Sequence, residues 1–184
     1  MIYFTSDLHF GHNKEFLFKP RGFDTVEDHD KTIIEKWNSI VKGDDLVYIL
    51  GDLTLGDLDY GISCIKKLNG AFYIILGNHD TDIRIEAYKQ LPNVLGISYA
   101  MPLKYNKYRF FLTHYPTITS CDEKVKQSLK KCLINLYGHT HQKTNFYNDI
   151  PYMYHVGLDS HDNMPVSLDQ IIADCEEKAA EYRK

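Results

Sequence analysis

Ala71-Phe72-Tyr73-Ile74-Ile75-Leu76-Gly77-Asn78-His79-Asp80 passes from six apolar or aromatic residues straight into a glycine and three polar residues. A short apolar run without polar alternation suits a strand buried on both faces, as in a parallel sheet covered by helices. The pattern recurs upstream. Leu46-Val47-Tyr48-Ile49-Leu50 ends at Gly51-Asp52, and the strand predicted over residues 1–5 ends at Ser6-Asp7-Leu8-His9. Between them Ile33, Ile34, Trp37, Ile40 and Val41 keep helical spacing, predicting an amphipathic helix over 28–41 that Gly43 stops. A second helix is predicted over 57–68, with Gly70 past its end. Strand, helix, strand, helix, strand puts the polar residues just beyond the strands' carboxyl ends, where open α/β sheets bind ligands.

Downstream, residues 98–103 and 108–113 read as a hairpin around Asn106. Strands are predicted over 133–137, ending at Gly138-His139-Thr140-His141, and over 151–156. Residues 115–131 are polar, a loop with a short helix near 123–131. A short helix over 81–88 follows Asp80. Ser167-x-x-Gln170 is a capping box opening the last helix, with Ile171, Ile172 and Cys175 toward the core.

The 184 residues suit one domain without a cap, and 43% hydrophobic residues suffice for a core. A net charge of −4 gives no general attraction to nucleic-acid backbone, so long nucleic acids are not expected partners. No signal peptide or membrane span is expected. Cys64, Cys121, Cys132 and Cys175 show no C-x-x-C pairing, and are expected to be reduced thiols in the cytoplasm. The residues leave the oligomeric state open, a homodimer being one arrangement they allow.

Strand ends carry Asp7 with His9, Asp52, Asn78 with His79 and Asp80, His114, and His139 with His141. In an extended chain residues i and i+2 point the same way, so Asp7/His9 and His139/His141 would each aim two ligands at one point. Carboxylates with imidazoles suit Mn²⁺, Fe, Zn²⁺, Ni²⁺ or Co²⁺ rather than Ca²⁺. The set is surplus to one tetrahedral zinc and fits two divalent metal ions sharing a carboxylate. A lone Asp-x-His is usually a polar turn, and a lone His after Phe110-Phe111-Leu112 is usually structural; all of them falling at strand ends is the informative fact.

This series, Asp7-x-His9, Gly51-Asp52, Gly77-Asn78-His79-Asp80, His114 and Gly138-His139-x-His141, resembles the calcineurin-like metallophosphoesterases, particularly their small bacterial and phage-type members. The resemblance spans residues 7–141. It implies a two-sheet β-sandwich flanked by helices, an α/β fold, with a dinuclear site at one edge. It implies Asp7, His9 and His141 on one metal, Asp52 bridging, and Asn78, His114 and His139 on the other, with Mn²⁺ the expected ion. Two such cations acidify a bridging water, giving a hydroxide that attacks a small phosphate ester, a phosphodiester or nucleotide. His79 takes the family's general-acid position; the alternative is a hydrogen-bonding residue outside the reaction. Asp80 either orients His79 or caps the following helix.

His12 is a substrate contact or a loop histidine. Arg21 can fork onto a phosphate, or is simply an exposed arginine, the reading that residue type favours. Tyr115 and Pro116 would line the pocket wall, and His29, His155 and His161 are read as structural or surface residues. The rivals are a scaffold on the same fold, a nuclease or phosphomonoesterase with the same chemistry, and other metallohydrolase folds; the last usually show an early H-x-H, absent here.

Overall fold

The computed structural model describes residues 1–119 and 121–183. Strands β1 (Ile2–Thr5), β2 (Leu46–Leu50), β3 (Ala71–Ile75) and β4 (Val94–Ser98) run parallel in one sheet, with the antiparallel two-residue β9 (Val166–Ser167) beside β1. Strands β5 (Ala100–Tyr105), β6 (Tyr108–Thr113), β7 (Ile134–Tyr137) and β8 (Met153–His155) form the second sheet in sequence order. Helices α2 (Val26–Ile40), α3 (Leu58–Ile65) and α4 (Asp82–Lys89) link the parallel strands, and α6 (Leu168–Tyr182) closes the chain. Two one-turn helices, α1 (Glu15–Phe18) and α5 (Asp122–Val125), lie in the loops. The expected two-sheet α/β architecture with flanking helices is what the chain forms.

The unbroken apolar runs follow from this layering. Phe4, Tyr48, Leu50 and Ile75 join Phe110, Leu112, Leu136 and Tyr154 in one core cluster, which Ile171 and Cys175 of α6 share. Alternate residues Tyr3, Val47, Ile49, Phe72 and Ile74 pack instead with Ile33 and Trp37 of α2 and Ile65 of α3. β1, β2 and β3 therefore each bury both faces. α2 begins at Val26, two residues before the expected start, and Thr25 caps it by accepting from Asp28 N at 3.1 Å. The Ser167 hydroxyl accepts from Gln170 N at 3.2 Å, but the Gln170 amide turns to Asp174, so only half of the capping box forms.

The hairpin expectation needs one correction. Its turn is Asn106-Lys107, both left-handed as a tight two-residue turn requires, but Ser98 belongs to β4, and the chain changes sheets between Ser98 and Ala100. All four cysteines are buried and free. Among the described residues no helix is long and apolar enough to cross a membrane.

Candidate metal centre

The carboxyl ends of β1, β2, β3, β6 and β7 converge. His9 Nε2 and His141 Nε2 lie 3.2 Å apart, each 3.8 Å from Asp7 Oδ1. His114 Nε2 lies 3.0 Å from Asn78 Oδ1 and 3.2 Å from His139 Nδ1. Between the two groups stands Asp52, whose Oδ2 is 3.9 Å from His9 Nε2 and 3.4 Å from His114 Nε2. Every residue expected to bind metal is thus brought together, in two groups that meet at one carboxylate.

Strand alternation is not what converges them. Asp7, His9, Asp52, His139 and His141 take left-handed φ of 59°, 49°, 57°, 67° and 48°. Each such residue costs about 1–3 kcal/mol and persists only where its surroundings over-determine it. Here they do. Asp7 N and His9 N donate to Gly51 O and Asp52 O, both at 3.0 Å. His139 N donates to Asp7 Oδ2 and His79 N to Asp52 Oδ1, each at 2.9 Å. Two glycines make room for the carboxylates. A Cβ on Gly77 would strike Asp52 Oδ1, and one on Gly138 would lie 2.6 Å from Asp7 Oδ2.

The donor set fits divalent cations. His114 Nδ1 is 2.8 Å from Leu50 O, an acceptor only, so Nδ1 carries the proton and Nε2 presents a lone pair to the centre. His141 Nδ1 is held the same way by Asp159 Oδ2 at 2.9 Å. Asp7 Oδ1 is buried with no hydrogen-bond partner. Single donor atoms of Asp7, His9 and His141, and of Asp7, Asp52 and His114, fall within 4.8 Å of one another. Bare lone pairs crowded together in a buried pocket are stable only around positive charge.

The field agrees. Burial pushes the Asp7 carboxyl up, but His141, His9, His114 and the Ser6 hydroxyl, which donates at 2.5 Å, outweigh it and hold it below the usual range. Burial holds His9 well below an ordinary imidazole, in its neutral, ligating form. For Asp52 burial prevails and the carboxyl is raised.

His79 stands at the mouth, its side chain 42% exposed and Nε2 4.0 Å from Asp52 Oδ2. Asp80 departs from both expectations. Thr81, not Asp80, holds the N-cap position of α4, without a side-chain capping bond. The Asp80 carboxylate accepts from Asp52 N at 2.9 Å, Gly77 N at 2.8 Å and the Tyr88 hydroxyl at 2.9 Å, tying two site loops together beneath Asp52. His12 is half-buried, its ring centroid 5.8 Å from that of His9 and 5.6 Å from that of Phe16, and burial lowers its pKa. Tyr115 packs on His139, ring centroids 4.6 Å apart.

Arg21 is neither exposed nor aimed into open space, which corrects both readings of it. The buried guanidinium donates to Asp159 through Nη2 at 2.7 Å and Nε at 3.1 Å, and to Asp7 O at 2.9 Å. Its Nη1 lies 3.0 Å from His29 Nε2, and His29 Nδ1 lies 2.7 Å from Asp30 Oδ1. Burial opposes the charge of Asp159, yet His141 and Arg21 hold its carboxyl far below the usual range. Asp159 is the site residue that sequence reasoning missed. A signal existed: Val156-Gly157-Leu158-Asp159 is another strand end followed by glycine and an acid, like Gly51-Asp52.

A model of the calcineurin-like phosphoesterase superfamily domain matches residues 1–158. A Methanocaldococcus jannaschii protein described as uncharacterised is 30% identical over 179 residues, covering 93% of this chain and 89% of its own. The gene 66 protein of Mycobacterium phage L5 is 33% identical over 193 residues, covering 92% and 91%. Among solved structures, an Aquifex aeolicus protein of unknown function superposes with a TM-score of 0.70 at 23% identity, covering 94% of this chain and 98% of that one. An archaeal phosphodiesterase superposes with a TM-score of 0.50 at 20% identity, covering 85% and 81%. At such identities the structural likenesses bear on the fold.

Proposed function

Because the chain belongs to the calcineurin-like phosphoesterase superfamily, and so is a hydrolase acting on phosphate esters, we propose that it works with two divalent metal ions on a small phosphodiester or nucleotide. Asp7, His9 and His141 would hold one ion, Asn78, His114 and His139 the other, and Asp52 both. The observation that carries this reading is the position of Asp52 Oδ2, within 3.9 Å of His9 Nε2 on one side and 3.4 Å of His114 Nε2 on the other. Mn²⁺ is the ion we assign, since the donors mix oxygen with imidazole nitrogen. When bound, the cations supply Lewis acidity, which lowers the pKa of water and offsets phosphoryl charge.

The chain's own groups do the rest. The His79 backbone N–H fixes Asp52 Oδ1, leaving Oδ2 for the centre. The His79 imidazole, exposed at the mouth, donates a proton to the departing ester oxygen. His12 and Tyr115 border the space above the centre and bound the ester. Arg21 acts as a positioning residue through Asp159 and His141 rather than as a phosphate clamp. We take the chain as one domain without a cap, working in the cytoplasm.

The test is hydrolysis by protein stripped of metal and reloaded with Mn²⁺, on p-nitrophenyl phosphate and bis-p-nitrophenyl phosphate in parallel. Metal-dependent turnover with the diester preferred is expected. Preferred monoester cleavage would make the protein a phosphatase, and no turnover with metal bound would move it to the scaffold reading.

A further inference from the structure

Beside His141 the surface opens into a cavity of about 280 Å³ lined by Phe16, Leu17, Pro20, His141, Lys143 and Asp159. Its composition is two-sided. Phe16, Leu17 and Pro20 make an apolar face, and Phe16 is left 75% exposed although it is a large hydrophobic residue. The Phe16 ring is not adrift: it meets the His12 ring edge-on, centroids 5.6 Å apart, and His12 in turn stands 5.8 Å from His9 at the centre. Lys143 also lines the cavity; its ammonium donates to Pro20 O at 2.9 Å and lies 4.0 Å from Asp159 Oδ1. An ammonium has three protons, so donor capacity remains for something in the cavity. The Asp159 carboxylate is spent on Arg21 and His141.

A group that lies against an aromatic ring and a proline while offering acceptors at its edge to a lysine is a planar heterocycle. An acyl chain would make no use of the Lys143 donors, and a second phosphate would leave Phe16 in water. Resting on the phosphoesterase reading above, we infer that this cavity is a nucleobase subsite: the ester's nucleoside portion stacks on Phe16, with a base carbonyl or ring nitrogen accepting from Lys143, while its phosphate sits at the centre beyond His141. Phe16 and Lys143 are then specificity residues. Both are solvent-exposed, so truncating either leaves the core intact.

Binding of guanosine 5′-monophosphate and of ribose 5-phosphate to the Mn²⁺-loaded protein, measured by titration calorimetry, tests this. The two ligands share phosphate and sugar and differ in the base. The wild type is expected to prefer the nucleotide by about ten-fold or more, the size of one base–aromatic stack. Phe16→Ala should erase most of that preference and Lys143→Ala part of it, with ribose 5-phosphate affinity unchanged in both. Equal affinity for the two ligands, no measurable nucleotide binding, or a preference that survives Phe16→Ala would overturn the subsite. An inert protein that still prefers the nucleotide and loses the preference in Phe16→Ala would support the subsite while removing the hydrolase reading, so the two fail separately.

Discussion

His79 stands at the mouth of the centre and Asp159 holds His141 Nδ1, and substitutions should separate the two. His79→Ala removes the proposed proton donor and leaves every proposed ligand in place. Metal content is expected to stay at the wild-type level while turnover falls about 10²–10⁴-fold, most with poor leaving groups. A drop in bound metal would make His79 a ligand instead. Asp159→Asn keeps size but weakens the hold on His141 Nδ1 and on Arg21. Partners of this kind are worth about 10–100-fold in metal affinity, so Mn²⁺ titration should show a loss in that range, with fold intact by circular dichroism. Unchanged affinity would reduce Asp159 to a structural ion-pair member. The candidate ligands were legible because each sits at a strand end in a recognisable order. Arg21 and Asp159 were not, because their partnership joins residues 138 positions apart in sequence and no local pattern encodes it. Residue type alone favours an exposed arginine; burial beside a carboxylate is a tertiary fact.

The strands show the same division. β1, β2 and β3 were legible to within a residue, since a strand buried on both faces is apolar throughout. β4 was hidden: it is an edge strand, Gly96 interrupts it, and its residues are half-buried or exposed. The one-turn α1 carries too few residues for any period to register. Residues 123–131, expected as one short helix, form instead the end of α5 and a separate turn at Leu129–Lys131. β8 brings a consequence for acid stability. It ends on His155, which is buried with Nδ1 2.8 Å from Ser160 Oγ, and burial pushes its pKa down to about 4. A folded-state pKa below the unfolded value of about 6.5 means the unfolded chain alone takes a proton as pH falls. This contribution is therefore intact above pH 6.5 and is lost between there and pH 4, on the order of 3 kcal/mol at most. Urea midpoints at pH 7 and pH 4.5 should converge more closely for His155→Gln than for the wild type. Parallel pH dependences would assign the acid sensitivity to other groups.

At the scale of the molecule, neither sheet owns the centre. β1, β2 and β3 of the parallel sheet supply Asp7, His9, Asp52 and Asn78, and β6 and β7 of the second sheet supply His114, His139 and His141. Each ligand group draws on both sheets, so the core packed between the sheets holds each group together, and Asp52 stands between the two. Interior packing at this density transmits displacement rather than absorbing it, so the sandwich and the centre should stabilise each other, and metal should raise the unfolding midpoint. The measurement that bears most directly on the centre is metal stoichiometry after equilibrium dialysis against Mn²⁺, for wild type and Asp52→Asn, alongside hydrolysis of bis-p-nitrophenyl phosphate. Two ions per wild-type chain are expected, with Asp52→Asn losing at least one of them and more than about 100-fold in turnover. A single ion in a fully active wild type, or near-normal activity in Asp52→Asn, would contradict a dinuclear centre bridged by Asp52.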